Sequence, residues 1–224
     1  MNWFPLLNSI RTAVFSALIV FFPALFAAHW ITRCPPSPIR SAWDVAFTLP
    51  LVLPPPVVGW LILQALGPGH MFGYWTRQLF GVRLVMTWPS AVLAAALVSF
   101  PLTYRAARAS FERFDPDLSG VARTLGRSES WIFWNIQVPV CRRGVITGAV
   151  LAFARSLGEY GATYLAAGDI PGRTATISTA FYRLWSGGDS SGATIWALLS
   201  ILMSGACLLG VSVMEEIDRG GETL

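Results

Sequence analysis

The polar positions of this chain come in clusters, and long apolar runs separate them. No Asp, Glu, Lys or Arg occurs in 12–32, 45–76, 84–104 or 190–214. Each run reaches or exceeds the ~20 residues that cross a ~30 Å hydrocarbon core. A further apolar stretch, 144–167, is interrupted only by Arg155 and Glu159. The pattern predicts an all-α, polytopic membrane protein with five transmembrane helices, at about 10–30, 44–66, 84–105, 143–167 and 193–214. The membrane domain then covers 8–214, followed by a tail over 215–224.

The arginines orient the spans. Segment 106–143 carries Arg108, Arg113, Arg123, Arg127, Arg142 and Arg143, and segment 31–43 carries Arg33 and Arg40. Basic loops stay cytoplasmic. With five spans, the N-terminus is then outside and the acidic end, Glu215-Glu216-Ile217-Asp218, inside. The first span reads as retained. Its apolar run is too long for a signal sequence, and Ala27-Ala28-His29 makes a poor cleavage site.

Two spans carry irregularities. In the second, Pro54, Pro55 and Pro56 follow one another. Three prolines remove three backbone donors, so a regular helix cannot run through them. Such a break at membrane depth is tolerated only where protein or a watery cavity covers it. The prolines mark either a discontinuous helix lining a pathway or a kinked helix that only packs. In the fourth, Gly144, Gly148, Ala152 and Ser156 form a small-residue stripe that suits close helix packing. Beside it, Arg155 and Glu159 are one turn apart. They are either a neutralised pair or a polar lining for an anion.

Between spans three and four lies the loop 106–142, too long for a simple connector. Asp115-Pro116 is a helix start, and Gly126 suits the stop of a helix ending near Leu125. Ser128 caps a second short helix, Glu129 to about Val138, which Pro139 ends. Trp131, Ile132, Phe133, Trp134 and Ile136 give that helix an apolar surface, for a docking partner or for the membrane interface.

Composition sharpens this picture. The chain is 54% hydrophobic and only 12% charged, against roughly 25% charged in soluble domains. All 16 basic residues are arginine. Without lysine there is no phosphate-loop lysine and no Schiff-base chemistry. The net charge of +4 therefore describes topology rather than nucleic-acid binding. Cys34, Cys141 and Cys207 form no ligand or disulfide framework, and His29 and His70 are far apart, so no metal site is expected. Gly188-Asp189-Ser190-Ser191-Gly192 spells G-x-S-x-G, but lacks the strand and the histidine partner of a nucleophile elbow. No catalytic residue is expected.

The loop also resembles a known family. Binding-protein-dependent ABC importer permeases carry a motif of the form E-A-A-x3-G-x9-I-x-L-P. Here Ala122, Gly126, Ile136 and Pro139 match it in spacing, within Val121-Ala122-Arg123-Thr124-Leu125-Gly126. Gly120 and Val121 stand where the motif has Glu and Ala. Leu49 to Pro55, Leu157-Gly158-Glu159-Tyr160-Gly161-Ala162-Thr163, and Ala167 to Thr174 look like the molybdate subgroup, and sulfate, thiosulfate and tungstate permeases have related text.

The resemblance implies a non-catalytic membrane subunit working as a homodimer with two ATPase subunits. ATP and Mg would be held by those partners, and a periplasmic or lipid-anchored protein would deliver the oxyanion. Ala122, Arg123, Gly126, Ile136 and Pro139 would form the ATPase-coupling elbow, and Pro54, Pro55, Pro56, Arg155 and Glu159 would lie on the translocation path. An ATP-independent transporter or a membrane scaffold remains as the rival. The first has no purpose for the elbow, and the second needs no broken span.

Overall fold

Proline and short polar caps decide where several helices begin. The computed structural model describes residues 2–220, with backbone alone at Phe80 and beyond Val213. All regular elements among them are helical. Proline occupies the first or second position of α1 (Phe4–Arg33), α2 (Pro38–Val52), α3 (Pro55–Leu66), α5 (Trp88–Glu112) and α6 (Pro116–Thr124). A helix start has unpaired N–H groups anyway, so proline is tolerated there. Between α3 and α5 lies α4 (Met71–Phe80), absent from the sequence expectation. The elbow holds α7 (Glu129–Ile132), a π-helical turn (Phe133–Gln137) and α8 (Val138–Val140). Then follow α9 (Arg142–Leu157), α10 (Gly161–Ala167), α11 (Ile177–Ser186) and α12 (Ser190–Gly220).

Three of these helices, Phe4–Arg33, Trp88–Glu112 and Ser190–Val213, are long and apolar enough to cross a membrane. There are up to five spans if each bent pair counts as one, Pro38–Val52 with Pro55–Leu66 and Glu129–Val140 with Arg142–Leu157. The second span breaks as expected, with a bend of 109°. The fourth corrects the expectation of one continuous helix over 143–167. It stops at Leu157 and restarts at Gly161, and its first half turns 78° from the elbow segment before it. The last helix runs on to Gly220, into the segment expected to be a separate tail. Residues 221–224 of that tail lie outside the described residues.

The core is a packed trio of α1, α5 and α9. Its contact faces are rich in small side chains: Ala24 and Ala28 from α1, Ala96 and Ala107 from α5, and Gly148 and Ala152 from α9, all buried. Small residues let helix backbones approach closely where lipid offers no hydrophobic drive. The stripe Gly144, Gly148, Ala152 and Ser156 therefore serves packing. A Cβ at Gly148 would lie 3.0 Å from Thr103 Cα, and the Thr103 hydroxyl donates to Gly148 O at 3.1 Å. Ser16 stitches α1 to α5 by donating to Val92 O at 3.0 Å.

The tightest approach joins the two broken spans. A Cβ at Gly59 of α3 would lie 2.7 Å from Ala162 O of α10, and one at Gly161 would lie 2.9 Å from Pro56 Cδ. Gly59→Ala must therefore separate α3 from α10. It is expected to destabilise the protein by roughly 1–3 kcal/mol, the usual cost of overpacking. Gly120→Ala on exposed α6, where a Cβ meets nothing within 4 Å, is expected to be neutral or stabilising. Thermal unfolding in detergent, followed by circular dichroism, separates the two.

Candidate translocation path and coupling elbow

The expected path residues come together at the meeting of the two breaks. Pro54 caps α3, while Pro55 and Pro56 form its first turn. The prolines thus begin a helix, and the interruption is at Leu53-Pro54. Val57 N–H donates to Pro54 O at 2.8 Å, so the new helix is hydrogen-bonded from its first free donor. Pro56 packs against Gly161, two residues after Glu159. Glu159 lies in the break between α9 and α10 and is 2% exposed. Its Oε1 accepts from Ala162 N–H at 2.8 Å, and its Oε2 is 2.7 Å from Arg155 Nη1. Of the two readings of Arg155 and Glu159, pairing is what the geometry contains.

The elbow is built as its sequence suggests at its start. Asp115 caps α6 by accepting from Asp117 N–H at 2.9 Å. Gly126 takes a left-handed φ of +76°, and Arg127 N–H donates to Ala122 O at 3.1 Å, closing the helix. Ser128 then accepts from Trp131 N–H to start α7. Ala122 is buried under the elbow, Ile136 is half-buried in the π turn, and Pro139 is exposed. The second segment departs from the expectation. It runs to Val140 rather than stopping at Pro139, and residues 133–137 are π-helical.

Its aromatic residues are partly covered by α1. Ile132 and Phe133 are buried, Phe133 stacks on Phe26 at 5.7 Å between centroids, and Trp134 meets Phe22 and Phe26 of α1 edge-on. Trp131, Trp134 and Val140 keep part of their surface exposed, and α6 with the residue just after it exposes Leu118 (43%), Val121 (61%) and Leu125 (74%). Their spacing of three and four places them on one side of the helix.

A charged clamp fixes the elbow. Glu129 accepts from Arg123 Nε at 2.5 Å and pairs with Arg33 Nη1, at the end of α1, at 2.7 Å. The Arg123 guanidinium, with Arg33 behind it, holds the Glu129 carboxyl down to about 2. The motif-based expectation included Arg123 but missed Glu129 and Arg33.

A second network was also missed. Buried Tyr104 donates to Asp44 Oδ1 at 2.7 Å, Arg108 pairs with Asp44, and Arg108 Nε lies 2.9 Å from Glu112. This ties α2, which buries no residue of its own, to α5, beside a polar cleft of about 420 Å³. The signal was available for half of it, since Arg108 and Glu112 are four apart on one helix. Among the described residues no group of three or more His, Cys, Asp or Glu is placed to hold a metal ion.

Path and elbow are separate places joined by α9. The helix begins at Arg142, just after Val140, and Arg155 lies about 20 Å further along it.

The clamp predicts a pH dependence. Glu129 has its ordinary value at 4.5 and a folded value of about 2, so its contribution is complete above 4.5 and is lost as pH falls through about 2. Glu129→Gln is expected to raise trypsin cleavage at Arg123 and Arg127 severalfold at pH 7, as weakening of a paired, partly exposed ion site would. Wild-type hydrogen exchange in the elbow is expected to show no step attributable to Glu129 between pH 5 and pH 8.

Comparison with known proteins places this architecture. Residues 19–220 match the family described as "Binding-protein-dependent transport system inner membrane component". The chain is 39% identical over 219 residues to the molybdenum transport system permease protein ModB of Escherichia coli (strain K12), covering 97% of this chain and 95% of that one. It is 36% identical to the putative molybdenum transport system permease protein YvgM of Bacillus subtilis (strain 168), over 89% of this chain and 88% of that one. Among solved structures it resembles a bacterial alginate ABC transporter (TM-score 0.68, 18% identity, 92% of this chain and 75% of that one). It also resembles the MetNI methionine ABC transporter (TM-score 0.62, 15% identity, 93% of this chain and 94% of that one). At such identities these two show the fold alone. The chain belongs to the binding-protein-dependent transport system inner membrane components and is a multi-pass permease subunit of an ABC importer.

Proposed function

We propose that this permease carries molybdate inward as a homodimer, driven by two ATPase subunits that dock on its elbow. A periplasmic or lipid-anchored binding protein delivers the anion. The observation that supports the substrate most is the 39% identity, over nearly the whole of both chains, to a permease named for molybdenum transport. Support for docking comes from α6, which exposes Leu118, Val121 and Leu125 beside a charged clamp. In this reading the N-terminus is outside and the acidic C-terminus is cytoplasmic, as the arginine-rich segments require.

The mechanism follows from how the parts are joined. ATP and Mg are held in the partner, since this chain has no lysine for a phosphate loop. Closure of the ATPase dimer moves the elbow, and α9 transmits that movement to the break at Gly158–Tyr160. A helix that is close-packed along its length moves as a unit, because packed interfaces are bistable rather than continuously deformable. The breaks at Leu53-Pro54 and Gly158–Tyr160 then act as the hinges of alternating access. Tight anion binding at the break would slow release, so selection rests with the delivering protein.

The test is uptake into vesicles holding this chain with the ATPase and binding protein of a molybdate system. Molybdate uptake that requires ATP and the binding protein is the expected result. Sulfate uptake unaffected by excess molybdate would instead identify a sulfate permease. Molybdate uptake without the ATPase would overturn the coupling.

Gly126 separates backbone from docking effects. Its φ of +76° penalises Ala by about 1 kcal/mol or more, whereas Asp tolerates this region better. Gly126→Asp is therefore expected to keep the fold, by thermal unfolding, and to lose most ATPase retention in a pull-down. Normal retention and uptake would show that the elbow is not the docking site.

A further inference from the structure

Glu159 is an unexpected group to find on the path of an anion. Its side chain is 1% exposed, and it lies where the two broken spans meet. Like charges repel, and removal from water strengthens the effect. The carboxylate nevertheless has a structural task. By accepting from Ala162 N–H at 2.8 Å it occupies a backbone donor that the break leaves without a helical partner.

Arg155 answers the charge rather than the donor. Its Nη1 is 2.7 Å from Glu159 Oε2, yet that oxygen receives no aligned hydrogen bond. The contact is an ion pair held by attraction. The Ser156 hydroxyl beside it is also buried and without a hydrogen-bond partner, so the neighbourhood is polar and incompletely satisfied. The arginine side chain is 30% exposed, and is thus the accessible part of the pair.

We infer that Arg155 is a positioning residue that cancels the charge of Glu159, letting a divalent oxyanion pass the break while the carboxylate holds the span. This rests on the importer reading above. Arg155 acts through Glu159 and is not itself a tight anion site. The two roles of Glu159 are separable, because a glutamine side chain keeps a carbonyl acceptor for Ala162 N–H and carries no charge.

Labelled molybdate uptake by the full complex in vesicles tests this, with kcat and KM measured separately. Arg155→Gln is expected to lower kcat about tenfold or more, on the scale of electrostatic effects in narrow clefts, with KM little changed. The double variant Arg155→Gln with Glu159→Gln is expected to recover most of the loss. Arg155→Lys, which keeps the charge and not the fork, is expected to stay within about threefold of the unaltered complex.

A double variant as inactive as Arg155→Gln, though assembled, would overturn charge cancellation and point to direct contact of Arg155 with the anion. Unchanged uptake in Arg155→Gln would overturn it as well. If Arg155→Gln does not assemble, the lysine and double variants carry the comparison, and loss of uptake in both assembled complexes overturns the inference. Failure of the unaltered complex to move molybdate would count against the importer reading. Equal kinetics of all assembled complexes would count against this inference only.

Discussion

A broken helix in a membrane must have its freed backbone groups covered, because lipid supplies no hydrogen-bond partner. Most of this architecture follows from that constraint. The chain interrupts a helix at Leu53-Pro54 and again at Gly158–Tyr160, and it packs the two restarts against each other. Contact that close requires the absence of side chains on both sides. Gly59 lies under Ala162, and Gly161 lies under Pro56. One donor at the second break, Ala162 N–H, is taken by Glu159, a charge that Arg155 then balances. Prolines at the first break need no such partner, since their missing N–H groups are those a helix start leaves unpaired.

The rest of the fold supports this contact or surrounds it. Small residues bring α1, α5 and α9 together, and hydroxyl groups such as those of Ser16 and Thr103 donate across the interfaces. That trio is the densely packed part. Around it, α2 buries no residue and is tied to α5 chiefly by the Asp44, Tyr104 and Arg108 group, while α12 buries almost none of its surface. Apolar helices so uncovered by their own chain suit a lipid or subunit environment rather than water. The elbow is connected to the trio at one end by the Arg33–Glu129 pair and by Phe133 against Phe26. One helix, α9, starts there and ends at the second break, so it connects the two places directly.

The elbow separates two kinds of apolar residue that look alike in sequence. Trp131, Ile132, Phe133 and Trp134 are contiguous and aromatic, and suggest a surface waiting for a partner. In the fold Phe133 and Trp134 meet α1 and Ile132 is buried, while the more modest Leu118, Val121 and Leu125 are left exposed. Contiguity in sequence is a poor guide here, because a helix turns every residue by about 100° and only a neighbour decides which side is covered. The π turn at Phe133–Gln137 belongs to the same category, since one extra residue per turn is a response to packing and leaves no compositional mark.

By itself, the sequence determined the environment, the number of long apolar segments, the interruption at the prolines, and the caps and the glycine stop of the elbow. These depend on hydration of side chains and on local backbone geometry, which act within a few residues. It did not determine the stop at Leu157, the helices α4 and α11, the second half of the elbow or the attachments of Glu129 and Asp44. Most of those depend on which residues meet across distant parts of the chain, as Asp44 meets Arg108, Arg33 meets Glu129 and Gly59 meets Ala162. Gly158, Glu159 and Tyr160 read as part of a helix, and the approach of α3 makes a break there tolerable, because it brings another backbone against the restart at Gly161.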